Sequence, residues 1–560
     1  MARRIILVLA VLIFLAGCGA SQSAVRDSQS GSNDANAYYQ QGNALSEKGS
    51  YDQAIAAYDK AIQLKPDYAA AYGNRGNVYS KKGDYDKAIA DYDKVIHLQP
   101  NDALAYGNRG NACRKKGDYD KAIADCDRAI QLKPDYADAY NNLGIAYSIK
   151  GNYDQATAAY DKAIQLQPDY AAAYGNRGNV YRKKGDYDSA IADYDKVIQL
   201  NPDDADAFYN LGVAYDHKGD YDRAIADYDR AIELKPDRAE AYFNRGLAYD
   251  HKGDYDRAIA GYDKAIQLKP DDAHAFLTRG LAYASKGEYD KAIADYNKAI
   301  QLQPNYPYPY NYRGNAYRRM GDHDKAIADY NKAIQLQPDY ANAYFNRGYA
   351  YNTKGDHEKA IADYDKVIQL LPDAAAAFYN RGVAYNYKGD LDNAVADFEK
   401  AIQLKPDYAD AFYNLGVAYD YKSDYDKAIA AYDKAIQLKT DDAEALYTRG
   451  LAYASKGVYD KAIADYNKAI QLKPDYPYPY NNRGKAYSNK GEYDRAITDY
   501  DKAIELLPSY ALAYFHRARA YAAKGDAAKA AADLKKVLEL SNDQALRQQA
   551  QQELSKLGAQ

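Results

Sequence analysis

Three sets of side chains in this 560-residue chain have the type and spacing to do chemistry. Asparagine recurs in steps of 34 or its multiples at Asn74, Asn108, Asn142, Asn176, Asn210 and Asn244, and then at Asn346, Asn380, Asn414 and Asn482. Thr278 and Tyr312 interrupt the series. A carboxamide both donates and accepts hydrogen bonds, so the series offers repeated, uncharged polar contacts. Cys113 and Cys126 sit in one stretch and could close a disulfide in an oxidising compartment. His217 and His251, each preceded by an aspartate, could be read as metal ligands. The chain carries no GxxxxGK[ST] phosphate loop, HExxH pair or GxSxG elbow. The reading is therefore a non-enzymatic protein, with no catalytic residues, no metal and no cofactor.

The elements that must position these groups are written in a period of 34. Prolines march from Pro66 to Pro406 at that interval, Thr440 replaces one, and Pro474 and Pro508 resume. Glycines keep the same step at Gly42, Gly76 and Gly110 onward to Gly484, and again at Gly49, Gly83 and Gly117. Fixed periods of this length mark a solenoid of stacked supersecondary units. Within one unit, Ala88, Ile89, Tyr92, Val95 and Ile96 recur at helical steps and share a face. Asp84 is placed to cap that helix, and Asp86 puts a negative charge in its first turn. Lys87 and Asp91 form an expected i,i+4 pair on the exposed side. Gly83 can end the preceding helix and Pro100 the following one. Each unit is thus a helical hairpin with too little core to fold alone.

This frame bears on the histidines and cysteines. Neighbouring helices pack roughly 8–10 Å apart, whereas each zinc ligand must lie about 2 Å from the metal, so His217 and His251 read as surface residues. Cys113 lies before the turn glycine Gly117 and Cys126 after it, which offsets them by roughly 7 Å along the helix axis. That is the limit of Cα separation for a disulfide. Two small buried residues is the reading taken, with a Cys113–Cys126 bond left as the alternative.

Small residues at Gly76 and Ala88, aromatics at Tyr79, Tyr85 and Tyr92, and Pro100 near the end of a 34-residue unit resemble a tetratricopeptide repeat. Fifteen copies fill residues 35–544, with departures at Leu45, Ser423 and Ala518. Residues 545–560 continue an apolar stripe at Leu546, Ala550, Leu554 and Leu557, which reads as a capping helix. The resemblance implies an all-α, right-handed superhelical solenoid whose first helices line an inner groove. It also implies that the asparagine two places before the first glycine faces that groove, as in arrays that hold an extended peptide by its backbone. Inner helices about 10 Å apart match three residues of extended chain at roughly 3.3 Å each. The alternative is that asparagine is simply part of a copied Asn-Arg-Gly string that solvates a helix face. Asn77, Asn111 and Asn179, with Arg114, Lys115, Arg182 and Lys183, would make the early groove amide-rich and basic. Tyr209, Phe243, Phe345, Tyr379 and Tyr413 would make it aromatic later. The lysine of the family's carboxylate clamp is replaced by Gly73, Gly107 and Gly175.

The amino terminus reads as an address. Arg3 and Arg4 precede an apolar run, Ile5 to Leu15, that is too short to span a bilayer but suits a signal-peptide core. Leu15-Ala16-Gly17-Cys18 resembles the lipobox of bacterial lipoproteins, which implies cleavage after residue 17 and acylation of Cys18. Residues 18–34 then form a lipidated, polar tether, anchored by several acyl chains. The resemblance places the protein in the bacterial envelope, on the periplasmic face of the outer membrane. The composition of 65 Tyr, 9 Phe and no Trp records the copying of one unit, and the formal charge of −5 argues against nucleic acid as a partner. The expected partner is a protein or peptide segment in the groove, with no small-molecule substrate. The alternative is a structural subunit of an envelope assembly or export machine, for pili or polysaccharide, that uses its outer faces.

Overall fold

A computed structural model describes residues 34–558, so the expected signal peptide and Cys18 lie outside the described residues. Those residues form thirty-one α-helices and no strand. Helix α1 covers 34–47. It pairs with α2 (Tyr51–Leu64), and the alternation continues through α3 (Ala69–Lys82), α4 (Tyr85–Leu98), α5 (Ala103–Lys116) and α6 (Tyr119–Leu132) to α31 (Gln544–Gly558). The chain divides into two compact units, Met1–Ala275 and Phe276–Gln560. Each is an all-α solenoid of helical hairpins. No helix among the described residues is long and apolar enough to cross a membrane.

The hairpin is built on one close approach. Tyr92 of α4 is 2% exposed, and its ring lies so near Gly76 of α3 that a Cβ there would meet Cε1 at 2.9 Å. The pattern repeats with Tyr160 on Gly144, Tyr228 on Gly212 and Phe398 on Gly382. Gly83 then takes φ 81°, and the Asp84 amide reaches back to the Tyr79 carbonyl at 2.9 Å, closing the first helix. Ser423 stands at the same point of its own unit with φ 60°, the only non-glycine residue with positive φ among the described residues. At the carboxyl end Ala550 is fully buried, and Leu546, Leu554 and Leu557 pack with it on Phe515 and Leu534.

Arginine braces the hairpins. Arg75, just before Gly76, makes a two-pronged bond to Asp91 of its own hairpin, at 2.9 Å from Nε and 2.6 Å from Nη2. Its Nη1 reaches Asp59 of the preceding hairpin at 2.5 Å. Arg109, Arg381, Arg449 and Arg517 repeat this arrangement. Asp91 is therefore buried rather than exposed. The expected Lys87–Asp91 pair does not form. Lys87 bonds Asp84 instead at 2.9 Å, and the Asp84 side chain makes no cap bond. The stronger bidentate partner across the hairpin takes Asp91, which leaves Lys87 to the nearest remaining carboxylate.

Where one partner of the brace changes, the other usually changes too: Leu143 stands opposite Ala159, and Leu415 opposite Ala431. Two successive hairpins break the rule. Leu211 of α11 (Ala205–His217) faces Asp227 of α12 (Tyr221–Leu234) with no arginine. Asp227 Oδ2 is buried without a hydrogen-bond partner. Burial first, and the nearby Asp195 charge second, push its carboxyl up to about 7, against a smaller pull from Arg223. In the next unit Gly261 replaces the aspartate, and Arg245 keeps only Asp229, with its Nε buried and unpaired.

Cys113 and Cys126 are both fully buried and both free thiols. Burial raises Cys113 to about 11 and Cys126 to about 12, which keeps both protonated. His217 and His251 stack on Tyr187 and Tyr221 of the preceding hairpins, with ring centroids 5.1 and 5.0 Å apart. No group of three metal-ligating side chains occurs among the described residues.

Two outcomes test this packing. Ser423→Gly relieves a left-handed β-carbon and should gain roughly 1 kcal/mol of local stability, read as slower amide exchange in the flanking helices. The mirror change Gly389→Ser should lose a similar amount. Asp227 has a folded-state carboxyl raised above its unfolded value of 3.8, so the folded chain binds that proton more tightly. Its contribution is favourable at low pH and is lost as pH climbs from about 4 to about 7. Asp227→Asn should therefore raise the melting temperature at pH 8 and leave it nearly unchanged at pH 4. Equal shifts at both pH values would contradict the burial of an uncompensated carboxylate.

Candidate functional site

The periodic asparagines all lie on first helices, one residue before the brace position, which is arginine except at Leu143, Leu211 and Leu415. All ten are partly buried rather than fully exposed. Their partners follow one rule. The carboxamide reaches the residue 35 positions earlier, on the first helix of the preceding hairpin. Where that residue is tyrosine, Nδ2 donates to its hydroxyl: Asn74 to Tyr39, Asn244 to Tyr209 and Asn482 to Tyr447, each at 3.0 Å, and Asn414 to Tyr379 at 3.1 Å. Where it is asparagine, Nδ2 donates to the amide oxygen: Asn176 to Asn141 at 3.0 Å and Asn346 to Asn311 at 3.1 Å.

Where the earlier residue has no polar group, the bond is lost or redirected. Asn380 follows Phe345 and donates to the Ala376 carbonyl of its own helix at 2.8 Å. Asn108 follows Gly73 and reaches Asn77 at 3.3 Å. Asn142 follows Gly107 and Asn210 follows Gly175, and neither carboxamide has a hydrogen-bond partner among the described residues. The series is therefore of three kinds, with Asn380 alone in bonding only its own helix. Seven members are staples between successive hairpins: Asn74, Asn108, Asn176, Asn244, Asn346, Asn414 and Asn482. Asn142 and Asn210 keep their whole hydrogen-bonding capacity. In Asn74, Asn414 and Asn482 both donor hydrogens are engaged, which leaves an acceptor only.

The flanking residues are also drawn into the scaffold. Asn77 and Asn179 accept hydrogen bonds from the buried hydroxyls of Tyr92 and Tyr194 at 2.8 and 2.9 Å. Asn111 accepts from Arg114 at 2.7 Å. Tyr209, Phe243, Phe345, Tyr379 and Tyr413 are half-buried and tilt onto the second-helix rings at centroid distances of 5.5–6.0 Å. One face of each ring is thus committed to packing. Missed from sequence are the staple acceptors Tyr39, Asn141, Asn311 and Tyr447, and the acceptor role of Tyr209 and Tyr379, which were expected only as inner-wall aromatics. Their signal was present: each lies 35 positions before an asparagine, one more than the repeat, because the contact joins neighbouring helices at staggered heights.

Tetratricopeptide repeat family models match residues 42–273, 280–374, 384–442 and 450–544. No curated protein sequence matches the chain. Among solved structures, MamA is 34% identical over 29% of this chain and 95% of its own, with a TM-score of 0.28. YrrB, described as a TPR protein with an unusual peptide-binding site, is 27% identical over 33% of this chain and 95% of its own, with a TM-score of 0.30. Yeast Tom70 is 20% identical over 75% of this chain and 96% of its own, with a TM-score of 0.36. With repeat models covering nearly all of residues 42–544, this chain belongs to the tetratricopeptide repeat family.

Proposed function

We propose that the protein is an envelope-anchored scaffold that holds an extended segment of a partner protein along its first helices. Membership of the tetratricopeptide repeat family supports a role in protein–protein contact. The observation that carries the finer reading is the pair of unengaged carboxamides, Asn142 and Asn210, two hairpins apart on first helices otherwise stapled together. A group that can donate and accept matches the peptide unit whatever the ligand's sequence. A stapled asparagine offers less, so the backbone contacts concentrate where the staples are missing. The anchor rests on the positive Arg3-Arg4 start, the apolar run and the Leu-Ala-Gly-Cys motif ending at Cys18.

Photocrosslinking residues at positions 142 and 210 should capture a partner that the same residues at Asp127 and Arg230, on second helices, do not. Capture from the second helices alone would overturn the groove reading in favour of a structural subunit that works through its outer faces. Once the partner segment is known, Asn142→Ala and Asn210→Ala should each weaken it several-fold, in line with about 1 kcal/mol per hydrogen bond. Neither change should move the melting temperature, because neither removes an internal bond. Fatty-acid labelling of cells should mark the wild-type protein and not Cys18→Ser. Label retained on the variant would exclude acylation at Cys18.

A further inference from the structure

Two hollows open between successive first helices, and they are built from the same positions three hairpins apart. The first, of about 240 Å³, lies around Gly73, and the second, of about 270 Å³, around Gly175. Each has an apolar floor, Val95 with Tyr92 in one and Val197 with Tyr194 in the other. Each also has a polar rim: Asn74, Asn108 and Asp102, or Asn176, Asn210 and Asp204.

The hollows are this large because a ring is missing; where Phe243 stands at the position of Gly73 and Gly175, the space shrinks to about 110 Å³. Between any two hairpins the space is set by two positions: the residue three before the first glycine, and the residue immediately before the next first helix. At the other junctions an aromatic stands at one or both of these positions. Tyr39 lies against Tyr68 with centroids 5.0 Å apart, and Tyr379 against Tyr408 at 4.9 Å. Where the first position is Gly107, the second supplies Tyr136, whose ring covers the glycine so closely that a Cβ there would lie 2.6 Å from Cε1. At Gly73 and Gly175 the second position is Asp102 or Asp204, and no ring comes from either side. A Cβ at either glycine would meet only a valine methyl at 3.7 Å.

We infer that the two hollows are side-chain pockets for tyrosines of the bound segment, each ring lying on the bare glycine as Tyr136 lies on Gly107. This deepens, and rests on, the groove reading above. The ring would meet the valine floor and restore the packing that the chain's own tyrosines give at other junctions. The choice of tyrosine over a purely apolar side chain follows from the rim. Asp102 and Asp204 each use one carboxylate oxygen to cap the next helix, at 2.9–3.1 Å, and the other has no partner among the described residues. Beside Asp204 stands the unengaged Asn210. A phenol hydroxyl donates to either acceptor. Three hairpin steps of about 10 Å correspond to about nine residues of extended chain at roughly 3.3 Å each. The recognised pattern is therefore two tyrosines about nine residues apart.

The test uses the full chain and a fluorescently labelled, end-blocked 13-residue Gly/Ser/Thr peptide carrying tyrosines at positions 2 and 11. This peptide should bind at least tenfold more tightly than versions with either tyrosine replaced by alanine, and more tightly than one with the tyrosines four residues apart. Gly73→Phe and Gly175→Phe place in each pocket a ring that Phe243 and Phe345 already occupy at the same position, so the fold should tolerate them. Each variant should reduce the double-tyrosine peptide to the level of a single-tyrosine peptide. Equal binding of tyrosine and alanine peptides, or an unchanged tyrosine preference in both glycine variants, would overturn the pockets. So would no measurable binding of any peptide. The groove reading fails separately: a partner crosslinked through Asn142 and Asn210 without tyrosine preference keeps the groove and removes the pockets. Capture only from second helices, with tyrosine preference blocked by Gly73→Phe, does the reverse.

Discussion

The approach of a second-helix ring to a first-helix glycine, Tyr92 on Gly76 and its counterparts, fixes how close the two helices of each hairpin stand, and the other contacts depend on that distance. A single added carbon at Gly76 would overlap the ring. In interiors packed to crystal density such an overlap cannot be absorbed without moving a helix. The exceptions support this account. Cys126 replaces the ring opposite Gly110, and its sulfur sits 3.1 Å from where a Cβ would be. In the last hairpin Leu534 replaces the ring, and Ala518 replaces the glycine in the same cluster. There a smaller knob on one helix accompanies a larger residue on the other, whereas opposite Cys126 the glycine is kept.

With that spacing set, arginine and asparagine on adjacent positions of the first helix do different work. Arginine looks toward the second helices and joins two hairpins through Asp91 and Asp59 or their equivalents. Asparagine looks along the row of first helices and joins them through the residue 35 positions earlier. Both sets of bonds hold neighbours in register, and bidentate, partly buried pairs of this kind are far better braces than the exposed lysine–aspartate contacts that also recur. Binding capacity and internal cohesion therefore compete for the same carboxamides. Asn142 and Asn210 are available to a ligand because Gly107 and Gly175 make no claim on them and, unlike Asn108 with Asn77, they bond no other side chain of the preceding hairpin.

The helical hairpin, its turn glycine and its count of copies were legible in the sequence because they are set by contacts within one unit, whose spacing is the period itself. What escaped was contact between elements. Asp91 read as the i,i+4 partner of Lys87, since sequence proximity shows only same-helix neighbours, while its actual partner, Arg75, lies sixteen residues back across the hairpin. The asparagine series was visible as a series, but its division into staples and free carboxamides depends on the identity of a residue in the previous copy. Aromatic residues of the expected inner surface, Tyr209 and Tyr379 among them, proved to have a structural use as well, since their hydroxyls receive those staples.

Copied units also show where the chain departs from its own pattern. The brace shows drift caught midway: Leu211 lost its arginine while Asp227 remained, and Arg245 lost its aspartate to Gly261, each leaving a buried polar atom unpaired. The two hollows behave otherwise. The hairpins that carry Gly73 and Gly175 share the string Ala-Ala-Ala-Tyr-Gly-Asn-Arg-Gly-Asn-Val-Tyr, so these arose by copying. The hairpins that close the hollows have since diverged, with Gly107 against Tyr209, Arg109 against Leu211 and Cys113 against Tyr215. Yet Asp102 and Asp204, Ala105 and Ala207, and Asn108 and Asn210, which face the hollows, remain paired in kind, and only the rim residue Leu104 against Asp206 differs. Ala105 and Asn108 have counterparts in most copies, and aspartate recurs at Asp272 and Asp442, so what sets these two junctions apart is the pairing of a glycine with an aspartate where every other junction carries a ring.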